Sequence, residues 1–484
     1  MTHFDPGKNK VLFGSTDKLA DWIVENLEQG KIIDKIKLML KNYLELDNVS
    51  FLFGSGTSIH LGAVAIRNFP LEVENYIKEQ DPEGTGIYSH FIFVIKQLQG
   101  ELLKFGKAHL IDDTQTFEDN RKWKFEIQDD IVRDIESLEI AIEYEKVLNY
   151  LIALDFVFKE DKSKARTDKY AELITTIKEG LFNVCNLDNR PASQTIIDKK
   201  KASQFTKDKA QGELLESRSK YIFHEKFLKA LLQRPLNLRR ANIFTANYDL
   251  AFEYAFDKLG VHYIDGFSGF HKRFFKPETF EYDIFYPGST TSGKVQRIEK
   301  VVRYYKLHGS LSWVNSESRD ANNLYGIEEK PLELIESLKK KGEIIIYPSA
   351  VKKSYTLDLP YSELFRQFAS TITQSQSVLI TIGYSFADDH FNDIIYQALS
   401  NPTFTLIVID HQGTRNEYIQ KLKELNDPRI IILEGDFFGD FLTFADTLMP
   451  NFNNVDNNEN VANTLNELLN TKTSNSEPAK AKEE

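Results

Sequence analysis

The fold of this chain is decided by one stretch, Val49-Ser50-Phe51-Leu52-Phe53-Gly54-Ser55-Gly56-Thr57-Ser58. Its first half is mostly apolar and predicts a short buried strand, and its second half is a glycine-rich turn. A strand, such a turn and a following helix make up the first β-α unit of a nucleotide-binding sheet. The stretch therefore predicts an α/β protein.

The strand pattern returns after residue 235. Five β-rich runs lie at residues 241–245, 301–307, 344–347, 378–382 and 406–409, and helical stretches separate several of them. This alternation predicts a Rossmann-like parallel sheet with helices on both faces. In such a sheet ligands bind beyond the carboxyl ends of the strands. Short polar motifs stand at or just after the ends of several of these runs, which is the strongest physical argument that the sequence offers.

Four regions are predicted. Residues 1–48 form an N-terminal helical segment, because apolar residues such as Leu19, Trp22 and Leu27 recur at helical spacings. Residues 49–80 and 236–450 form the nucleotide-binding domain. Residues 81–235 form a mainly helical insertion, and residues 451–484 form a flexible tail that is too polar to bury an apolar core. Two apolar helix faces indicate the insertion: Ile135, Leu138 and Ile142, and then Phe223, Phe227 and Leu231 before Pro235.

Composition limits the class of protein. The chain has 484 residues, of which 41% are hydrophobic and 27% charged, as in a soluble globular protein. No run approaches the roughly 20 apolar residues of a membrane helix, and the N-terminus does not resemble a signal peptide. We therefore expect a cytoplasmic protein without membrane contact. The net charge of −12 argues against direct binding of nucleic acid.

No metal site is predicted. Cys185 is the only cysteine, which excludes an intrachain disulfide and a multi-cysteine zinc site, and we expect a buried or idle thiol. Several histidines lack metal-ligand spacing with cysteine or carboxylate partners, and for these we prefer a solvated or hydrogen-bonded state: His60, His262, His271, His390 and His411.

The glycine-rich turn can bind a pyrophosphate. Gly54 and Gly56 permit close approach of backbone N–H groups, with a helix N-terminus behind them, and Thr57 and Ser58 add hydroxyls. Ile59 takes the place of a third glycine, and the turn lacks the lysine of a P-loop, so ATP hydrolysis is unsupported. The alternative is a tight turn that needs small residues.

Two polar residues after predicted strands are candidates for catalysis. The amide of Asn247 can accept from a water and donate to a ribose hydroxyl at once, although it could instead cap the next helix. Asp249 is a candidate cap or turn residue. His308 can take a proton from a hydroxyl or a water near neutral pH, although a lone histidine is usually structural.

Two further motifs can contact a dinucleotide. Gly383 lets the backbone pass near a bound ligand, and Ser385 offers a hydroxyl. Asp388 or Asp389 can cap the next helix, and a plain strand-turn-helix explains the motif equally well. Asp410 follows another predicted strand, where an acidic residue can accept from an adenosine ribose.

Taken in order, four motifs resemble the sirtuin family, and more specifically its bacterial branch that consumes NAD in defence against phage. They are residues 53–58, 245–249, 307–310 and 383–386, and the resemblance spans residues 49–70 and 241–448. Ser55 replaces the alanine of the sirtuin turn Gly-Ala-Gly-x-Ser. Ala246 and Tyr248 depart from the sirtuin segment Thr-Gln-Asn-Ile-Asp in the way that the bacterial branch commonly does. The string Leu-His-Gly-Ser-Leu-Ser-Trp at residues 307–313 resembles the catalytic His-Gly segment of that branch.

The resemblance implies that NAD is the substrate and that Asn247 and His308 are catalytic. It assigns the dinucleotide site to the following residues: Gly54, Ser55, Gly56, Thr57, Ser58, Asp249, Gly383, Tyr384, Ser385 and Asp410. The products would be nicotinamide and ADP-ribose. The paired-cysteine zinc module of protein-deacylating sirtuins is missing, so no zinc is expected.

The alternatives are a nonenzymatic NAD or ADP-ribose sensor and an NAD-dependent protein deacylase. Because an unregulated NAD hydrolase would deplete its own cell, we expect control by a homo-oligomer or by a partner. Related bacterial systems use a HerA-type ATPase or a phage protein as that partner.

Overall fold

The computed structural model describes the following residues of the chain: 4–64, 69–92, 94, 109–110, 125–126, 147, 150–154, 164–189, 220–286, 297–316, 322–338, 341, 360–411 and 416–452. The predicted strand at residues 344–347, the predicted helix face at residues 135–142 and the predicted tail beyond residue 452 lie outside them. Within the described residues no helix has the length and apolar character needed to cross a membrane.

A central sheet organises the described residues, and nine of their strands belong to it. In spatial order these are β2 (Thr16–Asp17), β1 (Asn9–Phe13), β15 (Ile430–Gly435), β14 (Thr405–Asp410), β13 (Ser377–Ile382), β3 (Asn48–Phe53), β6 (Asn242–Thr245), β10 (Val301–Lys306) and β7 (His262–Ile264). The strands from β15 to β7 run parallel to one another. At the other edge β1 pairs antiparallel with β15, and β2 with β1.

The predicted parallel sheet with helices on both faces is confirmed. Helices are assigned as α1 (Lys18–Val24), α2 (Gln29–Leu44), α3 (Phe69–Gln80), α4 (Lys164–Cys185), α5 (Ile222–Leu231), α6 (Ala251–Leu259), α7 (Leu332–Ser337), α8 (Tyr361–Ile372), α9 (Asp389–Leu399), α10 (Glu417–Glu424) and α11 (Phe441–Thr443). Side chains alternate along a strand, so β3 serves two cores. Phe51 and Phe53 pack with α2, α5 and α6, whereas Leu52 packs with α8, α9 and α10 on the other face.

The N-terminal segment is more than helical. Besides α1 and α2 it contributes β1 and β2, which extend the sheet beyond β15. The run Asn9–Phe13 is too short for periodicity to identify it, and its strand partner lies at the other end of the chain. Its position is fixed by Asn9, whose Oδ1 accepts from the backbone N–H groups of Phe437 and Phe438 at 3.0 and 3.1 Å.

The helix at residues 222–231 packs on the sheet, although the sequence placed it in the insertion. Its predicted apolar face is confirmed, because Phe223, Phe227 and Leu231 are all buried. The ring of Phe227 lies 5.0 Å from that of Phe51 and 5.1 Å from that of Phe53, between ring centroids. This helix therefore covers β3, and its apolar face was evidence for a sheet-packed helix as much as for an insertion.

A third apolar core lies beside the sheet. It joins α3 and α4 with Tyr88, Phe91 and Leu151 from the region between them. Leu311, Val314 and Ile335 from the later part of the chain complete it. This helical module, defined here by α3, α4 and the residues packed between them, adjoins the carboxyl ends of the central strands.

A small antiparallel sheet follows β7, in a region that the sequence left without an assigned fold. Its order is β11 (Trp313–Asn315), β12 (Ile327–Glu329), β9 (Arg273–Phe275) and β8 (Phe267–Ser268). Arg273 pairs with both Asp265 and Glu329 and so connects it to the end of β7. A separate pair, β4 (His109–Leu110) and β5 (Phe125–Glu126), lies in the predicted insertion.

Candidate functional site

The order of the strands marks one place in the sheet for a ligand. From β3 the chain adds β6 and then β10 on one side, and afterwards it returns to add β13, β14 and β15 on the other side. The direction of winding thus reverses between β3 and β13. Helices that follow neighbouring strands part at such a switch point, which leaves a crevice beyond the carboxyl ends of the strands.

A cavity of about 840 Å³, including its open mouth, lies at this switch point. Four strand ends contribute to it: Gly54 and Ser55 after β3, residues 246–249 after β6, His308 after β10, and Tyr384, Ser385, Ala387 and Asp388 after β13. The predicted motifs from all four strands therefore meet in one cavity.

Three glycines meet where β3 and β13 end side by side. A Cβ atom on Gly54 would lie 2.5 Å from the carbonyl oxygen of Gly383, and one on Gly56 would lie 2.7 Å from the Cα of Gly383. Gly383 has a φ of +60°, and a Cβ there would lie 2.7 Å from the backbone nitrogen of Thr57. Close contact between the two backbones leaves no room for a side chain at any of the three positions. This agrees with the alternative given for the turn after β3, a tight turn that needs small residues.

The N–H groups of these turn glycines are occupied inside the protein. Gly54 donates to the carbonyl oxygen of Ile382 and Gly56 donates to that of Gly383, each at 3.0 Å. These two groups therefore tie β3 to β13 instead of pointing toward a ligand. Because a backbone N–H has one hydrogen to donate, these two groups are not the ones that would bind a pyrophosphate. The approach of other backbone N–H groups to a pyrophosphate, which the two glycines were predicted to permit, stays a prediction.

The five predicted residues of the turn divide into two groups. Gly54 and Ser55 line the cavity, whereas Gly56, Thr57 and Ser58 are not among its lining residues. Thr57 is 0% and Ser58 1% exposed, and the hydroxyl of Thr57 donates to the carbonyl oxygen of Gly54 at 2.8 Å. Both hydroxyls also accept from the side chain of Asn247, so they bond to the protein and not to a ligand.

Asn247 is held by its amide nitrogen. Nδ2 donates to the carbonyl oxygen of Gly54 at 3.1 Å and to the hydroxyls of Thr57 and Ser58 at 3.3 Å each. Because a carbonyl oxygen only accepts, these bonds fix which end of the carboxamide faces the turn. Oδ1 is the opposite end, and no donor among the described residues bonds to it. It is therefore available to a water or a hydroxyl in the cavity.

Asp249 supports this arrangement. Its carboxylate accepts from the backbone N–H of Ala251, the first residue of α6, at 3.0 Å, and from the hydroxyl of Ser58. Burial raises the pKa of Asp249, while Lys306 and these two hydrogen bonds oppose the shift. Asp249 also lines the cavity, but both observed contacts are those of a structural residue, as the sequence favoured.

Lys306 holds the loop after β6 by bonding to its backbone, a role that the sequence did not reveal. Its ammonium donates to the carbonyl oxygens of Tyr248, at 3.2 Å, and Asp249. It also pairs with Glu253 at 2.8 Å, and the side chains of Lys306 and Glu253 are only 4% and 12% exposed. A buried lysine within an apolar strand was the available signal, since such a group needs partners.

His308 is paired with a carboxylate. Its Nε2 lies 3.2 Å from Oδ2 of Asp388, and the two side chains are 11% and 6% exposed. The other oxygen of Asp388 accepts from the backbone N–H of His390 at 3.1 Å, so Asp388 is the N-cap of α9. The predicted cap is thus confirmed, and the same carboxylate has a second contact that sequence reasoning missed.

This pairing sets the tautomer of the imidazole. A carboxylate only accepts hydrogen bonds, so the nitrogen facing it carries the proton in the neutral ring. Nδ1 of His308 is then the basic nitrogen. The carboxylate also stabilises the imidazolium that forms if Nδ1 takes a proton.

The loop after β13 has an unusual backbone. Phe386 has a φ of +53°, which is rare for a large side chain, and its buried ring stacks on Tyr418 at 4.9 Å between centroids. Asn392 donates to the carbonyl oxygen of Phe386 at 2.9 Å. Tyr384 and Ser385, both predicted site residues, precede it and line the cavity. Burial raises the pKa of Tyr384 well above its usual value, so its hydroxyl stays protonated.

Asp410 lies apart from these residues. It is the last residue of β14, one strand beyond β13, and so stands at the same edge of the sheet. It is not among the residues that line the cavity. Its predicted contact with an adenosine ribose remains a prediction.

The helical module supplies an apolar wall that the sequence did not predict. Phe69 begins α3, Val184 and Cys185 end α4, and all three line the cavity together with Ala63 and Val64. Cys185 is buried, as expected for the only cysteine, but it is a wall residue of the site. Such a wall suits the face of a flat ring.

The site as a whole combines a hydrogen-bond acceptor on Asn247, a carboxylate-oriented imidazole on His308 and an apolar wall. These features suit the positioning of a water beside a bound organic ligand. Within the described residues no group of three or more histidine, cysteine, aspartate or glutamate side chains could hold a metal ion.

Comparison with known proteins identifies one domain family. The family described as SIR2-like domain matches residues 241–431, which supports a sirtuin-like family for this chain. SIR2-like domains use NAD, and the matched residues include Asn247, His308 and the loop after β13, whereas the turn after β3 lies outside the match. No curated protein matches the chain.

Proposed function

We propose that this chain is an NAD glycohydrolase, which cleaves the bond between nicotinamide and ribose and releases nicotinamide and ADP-ribose. One observation carries the proposal: Asn247 and the His308–Asp388 pair reach the same cavity from three different strand ends. The match to the SIR2-like domain supports NAD as the ligand of that cavity.

NAD would lie across the switch point between β3 and β13. Ser55, Tyr384 and Ser385 offer polar groups along the cavity, and Gly54 and Gly383 bring the backbone close to it. Gly56, Thr57, Ser58 and Asp249 would act indirectly, by holding Asn247 and the turn in place. Asp410 would contact the adenosine ribose from the end of β14.

The chemistry asks little of the protein beyond positioning. Nicotinamide leaves with the electron pair of the glycosidic bond, and the ribose passes through a state that resembles an oxocarbenium ion. A water then bonds to the anomeric carbon. Oδ1 of Asn247 would accept from that water or from a ribose hydroxyl, and Nδ1 of His308 would take the proton.

Asp388 would act through His308. Its carboxylate keeps the proton on Nε2, so that Nδ1 stays basic, and it stabilises the imidazolium after proton transfer. Asp388 is a positioning residue in this scheme. The apolar wall of Phe69, Val184 and Cys185 would pack against the nicotinamide ring and limit the entry of additional water.

We further propose that the activity depletes NAD in defence against phage and is gated by a homo-oligomer or by a partner such as a HerA-type ATPase or a phage protein. The resemblance to the bacterial branch supports this proposal, as does the need to protect the cell from an unregulated enzyme. Full activity of a monomer in the absence of any partner would contradict it.

The first test is to incubate the purified protein with NAD and to quantify nicotinamide and ADP-ribose by chromatography. Asn247→Ala and His308→Ala should each lower the rate at least about 100-fold, as expected for groups that position water or transfer a proton. His271→Ala is the matched control, because His271 is exposed and is not among the cavity residues.

Equal turnover by all variants would refute the assignment of these residues. NAD binding by calorimetry without turnover, even with candidate activators, would favour the nonenzymatic sensor. Nicotinamide release that requires an acyl-lysine peptide would identify a deacylase.

A further inference from the structure

A second cavity lies at the amino ends of the central strands, on the opposite side of the sheet from their carboxyl ends. It is formed where β3 and β6 begin, next to Asn48 and Asn242, and it is closed on one side by α8. Four arginines line it: Arg239, Arg240, Arg297 and Arg303. Nothing in the proposed reaction uses this cavity.

The charge in this cavity is unbalanced. Among the described residues that line it, four guanidinium groups face two carboxylates, those of Glu281 and Asp283, although the whole chain carries a net charge of −12. Asp283 is shared, because it pairs with Arg240 at 3.0 Å and with Arg297 at 3.3 Å. The cavity therefore has an excess of two positive charges in an acidic protein.

Hydrogen bonds to the protein orient the arginines, but some of their N–H groups have no acceptor among the described residues. Arg303 donates through Nε to the carbonyl oxygen of Phe280 at 2.9 Å, and Arg297 donates through Nη1 to that of Leu238 at 2.8 Å. Arg240 uses Nε and Nη2. Within the described part of the chain, one terminal nitrogen of each of these three groups has no acceptor: Nη2 of Arg297, Nη1 of Arg240 and Nη1 of Arg303.

Arg239 completes the set from the rim. It is exposed, and its Nη1 donates to Oδ1 of Asn48 at 3.2 Å and to Oε1 of Gln374 at 2.6 Å. Nη2 of Arg239 has no acceptor in the described residues. The side chain of Arg240 is 5% exposed, which is costly for a cation unless anions surround it.

We propose that this arginine cavity, lined by Arg239, Arg240, Arg297 and Arg303, binds a small ligand that carries a pyrophosphate or two phosphate groups. Planar guanidinium groups suit phosphate oxygens, which they can bind through two nitrogens at once. The excess of two positive charges matches a ligand with at least two negative charges. Amide and hydroxyl groups of Asn242, Gln367 and Thr371 provide further hydrogen bonds.

This site is separate from the NAD cavity. Asn48 and Phe53 are the two ends of β3, and a six-residue strand spans roughly 17–20 Å at about 3.3 Å per residue. One ligand cannot bridge both cavities through the sheet. The two sites should therefore fill at the same time without competition.

The test is calorimetric titration of the full chain with inorganic pyrophosphate at constant ionic strength, with and without saturating NAD. We expect saturable binding of one pyrophosphate per chain that NAD does not displace. Arg239→Gln should weaken it at least about tenfold, the usual effect of losing one charge-assisted hydrogen bond. Arg239→Lys keeps the positive charge but lacks the planar set of N–H donors of a guanidinium group. Its affinity for pyrophosphate should therefore lie between that of the parent protein and that of Arg239→Gln.

Two controls separate this site from general charge and from the NAD cavity. Arg429→Gln removes an arginine that also bonds backbone carbonyl oxygens but does not line the cavity, and it should leave pyrophosphate affinity unchanged. Asn247→Ala should leave it unchanged as well, whatever its effect on NAD. A parallel titration with ADP tests for a nucleotide ligand. Tighter binding of ADP than of pyrophosphate would indicate that the ligand is a nucleotide.

The proposal is overturned by three results. These are the absence of saturable binding up to roughly millimolar pyrophosphate, equal binding by Arg239→Gln, and displacement of pyrophosphate by NAD. Circular dichroism of each variant shows whether it is folded. Because Arg239 is exposed and bonds only to side chains, its replacement should not disturb the fold.

Discussion

Nε2 of His308 and Oδ2 of Asp388 lie 3.2 Å apart, although the two residues follow strands that are separated by β3 and β6. The contact joins strand ends on both sides of the switch point, and both residues line the cavity. It also gives Asp388 two tasks, since the same carboxylate caps α9.

Asp388→Asn should separate these two tasks. Asparagine is an equally good N-cap, so α9 should stay intact. Its amide would donate to Nε2, which forces the proton of His308 onto Nδ1 and removes the base. We expect kcat to fall at least about 100-fold with little change in KM, by analogy with the wrong-tautomer effect in serine proteases.

Asp389→Asn is the matched control, because Asp389 is exposed and adjacent, and it should keep kcat within about twofold. Heteronuclear NMR of the imidazole nitrogens reports the tautomer of His308 even when the enzyme is silent. An unchanged tautomer together with unchanged kcat in Asp388→Asn would show that Asp388 is only a cap.

Gly383→Ala should destabilise the protein more than the cost of placing an alanine at a positive φ explains. The added Cβ would lie 2.7 Å from the nitrogen of Thr57, and φ is +60°. Gly260, at the end of α6, has a φ of +62° but nothing within 4 Å of an added Cβ. Urea unfolding should give a loss of about 2–4 kcal/mol for Gly383→Ala and about 1–2 kcal/mol for Gly260→Ala. Equal losses would mean that β3 and β13 can separate at little cost.

Lys306→Met should leave the buried carboxylate of Glu253 without its positively charged partner, although the hydroxyl of Tyr304 still donates to it. The expected loss of unfolding free energy is about 3–5 kcal/mol, measured by chemical denaturation. The double variant Lys306→Met with Glu253→Gln removes the stranded charge and should recover part of that loss. Strictly additive effects of the two substitutions would contradict a direct interaction between them.

His224 predicts a pH dependence of stability. It is fully buried among Phe252, Phe441 and His60, with both ring nitrogens unbonded in the described residues, and burial lowers its pKa well below 6.5. The folded state therefore stays neutral where the unfolded state takes up a proton. Protonation of His224 in the unfolded state therefore leaves the free energy of unfolding unchanged above pH 6.5 and lowers it progressively as the pH falls below 6.5.

His224→Leu removes this protonation. Between pH 7.5 and pH 5.5 the parent protein should lose about 1.4 kcal/mol more unfolding free energy than the variant does. The comparison of the two proteins cancels the titration of groups that do not interact with His224. A parent that loses no more than His224→Leu would show that His224 becomes protonated inside the fold.

The strands at the centre of the sheet were predictable because each is a continuous apolar run. The apolar stretches at 49–53 and 378–382, for example, are buried on both faces, which is why they lack polar alternation. Strand β1 was missed, because its pairing with β15 connects the two ends of the described chain and leaves no local pattern.

The candidate site was predictable only in part. The positions of Asn247 and His308 after strands identified them, because parallel strands end at one edge of the sheet. The partner of His308 was not predictable, since Asp388 stands in a local context that a helix cap explains completely. For the glycines at 54, 56 and 383, the same letters suit a phosphate turn and a backbone contact, and only the distances between strands distinguish the two.

The position of β13 between β3 and β14 also bears on how the molecule is made. β3 is synthesised early, but its neighbour β13 follows more than three hundred residues later. At roughly 5–20 residues per second, this strand waits some tens of seconds on the ribosome with one edge open. An incomplete chain that ends between His308 and the start of β13 contains Asn247 and His308 but neither the second wall of the crevice nor the carboxylate of Asp388. The fold itself therefore keeps a nascent chain from assembling its site before synthesis is nearly finished.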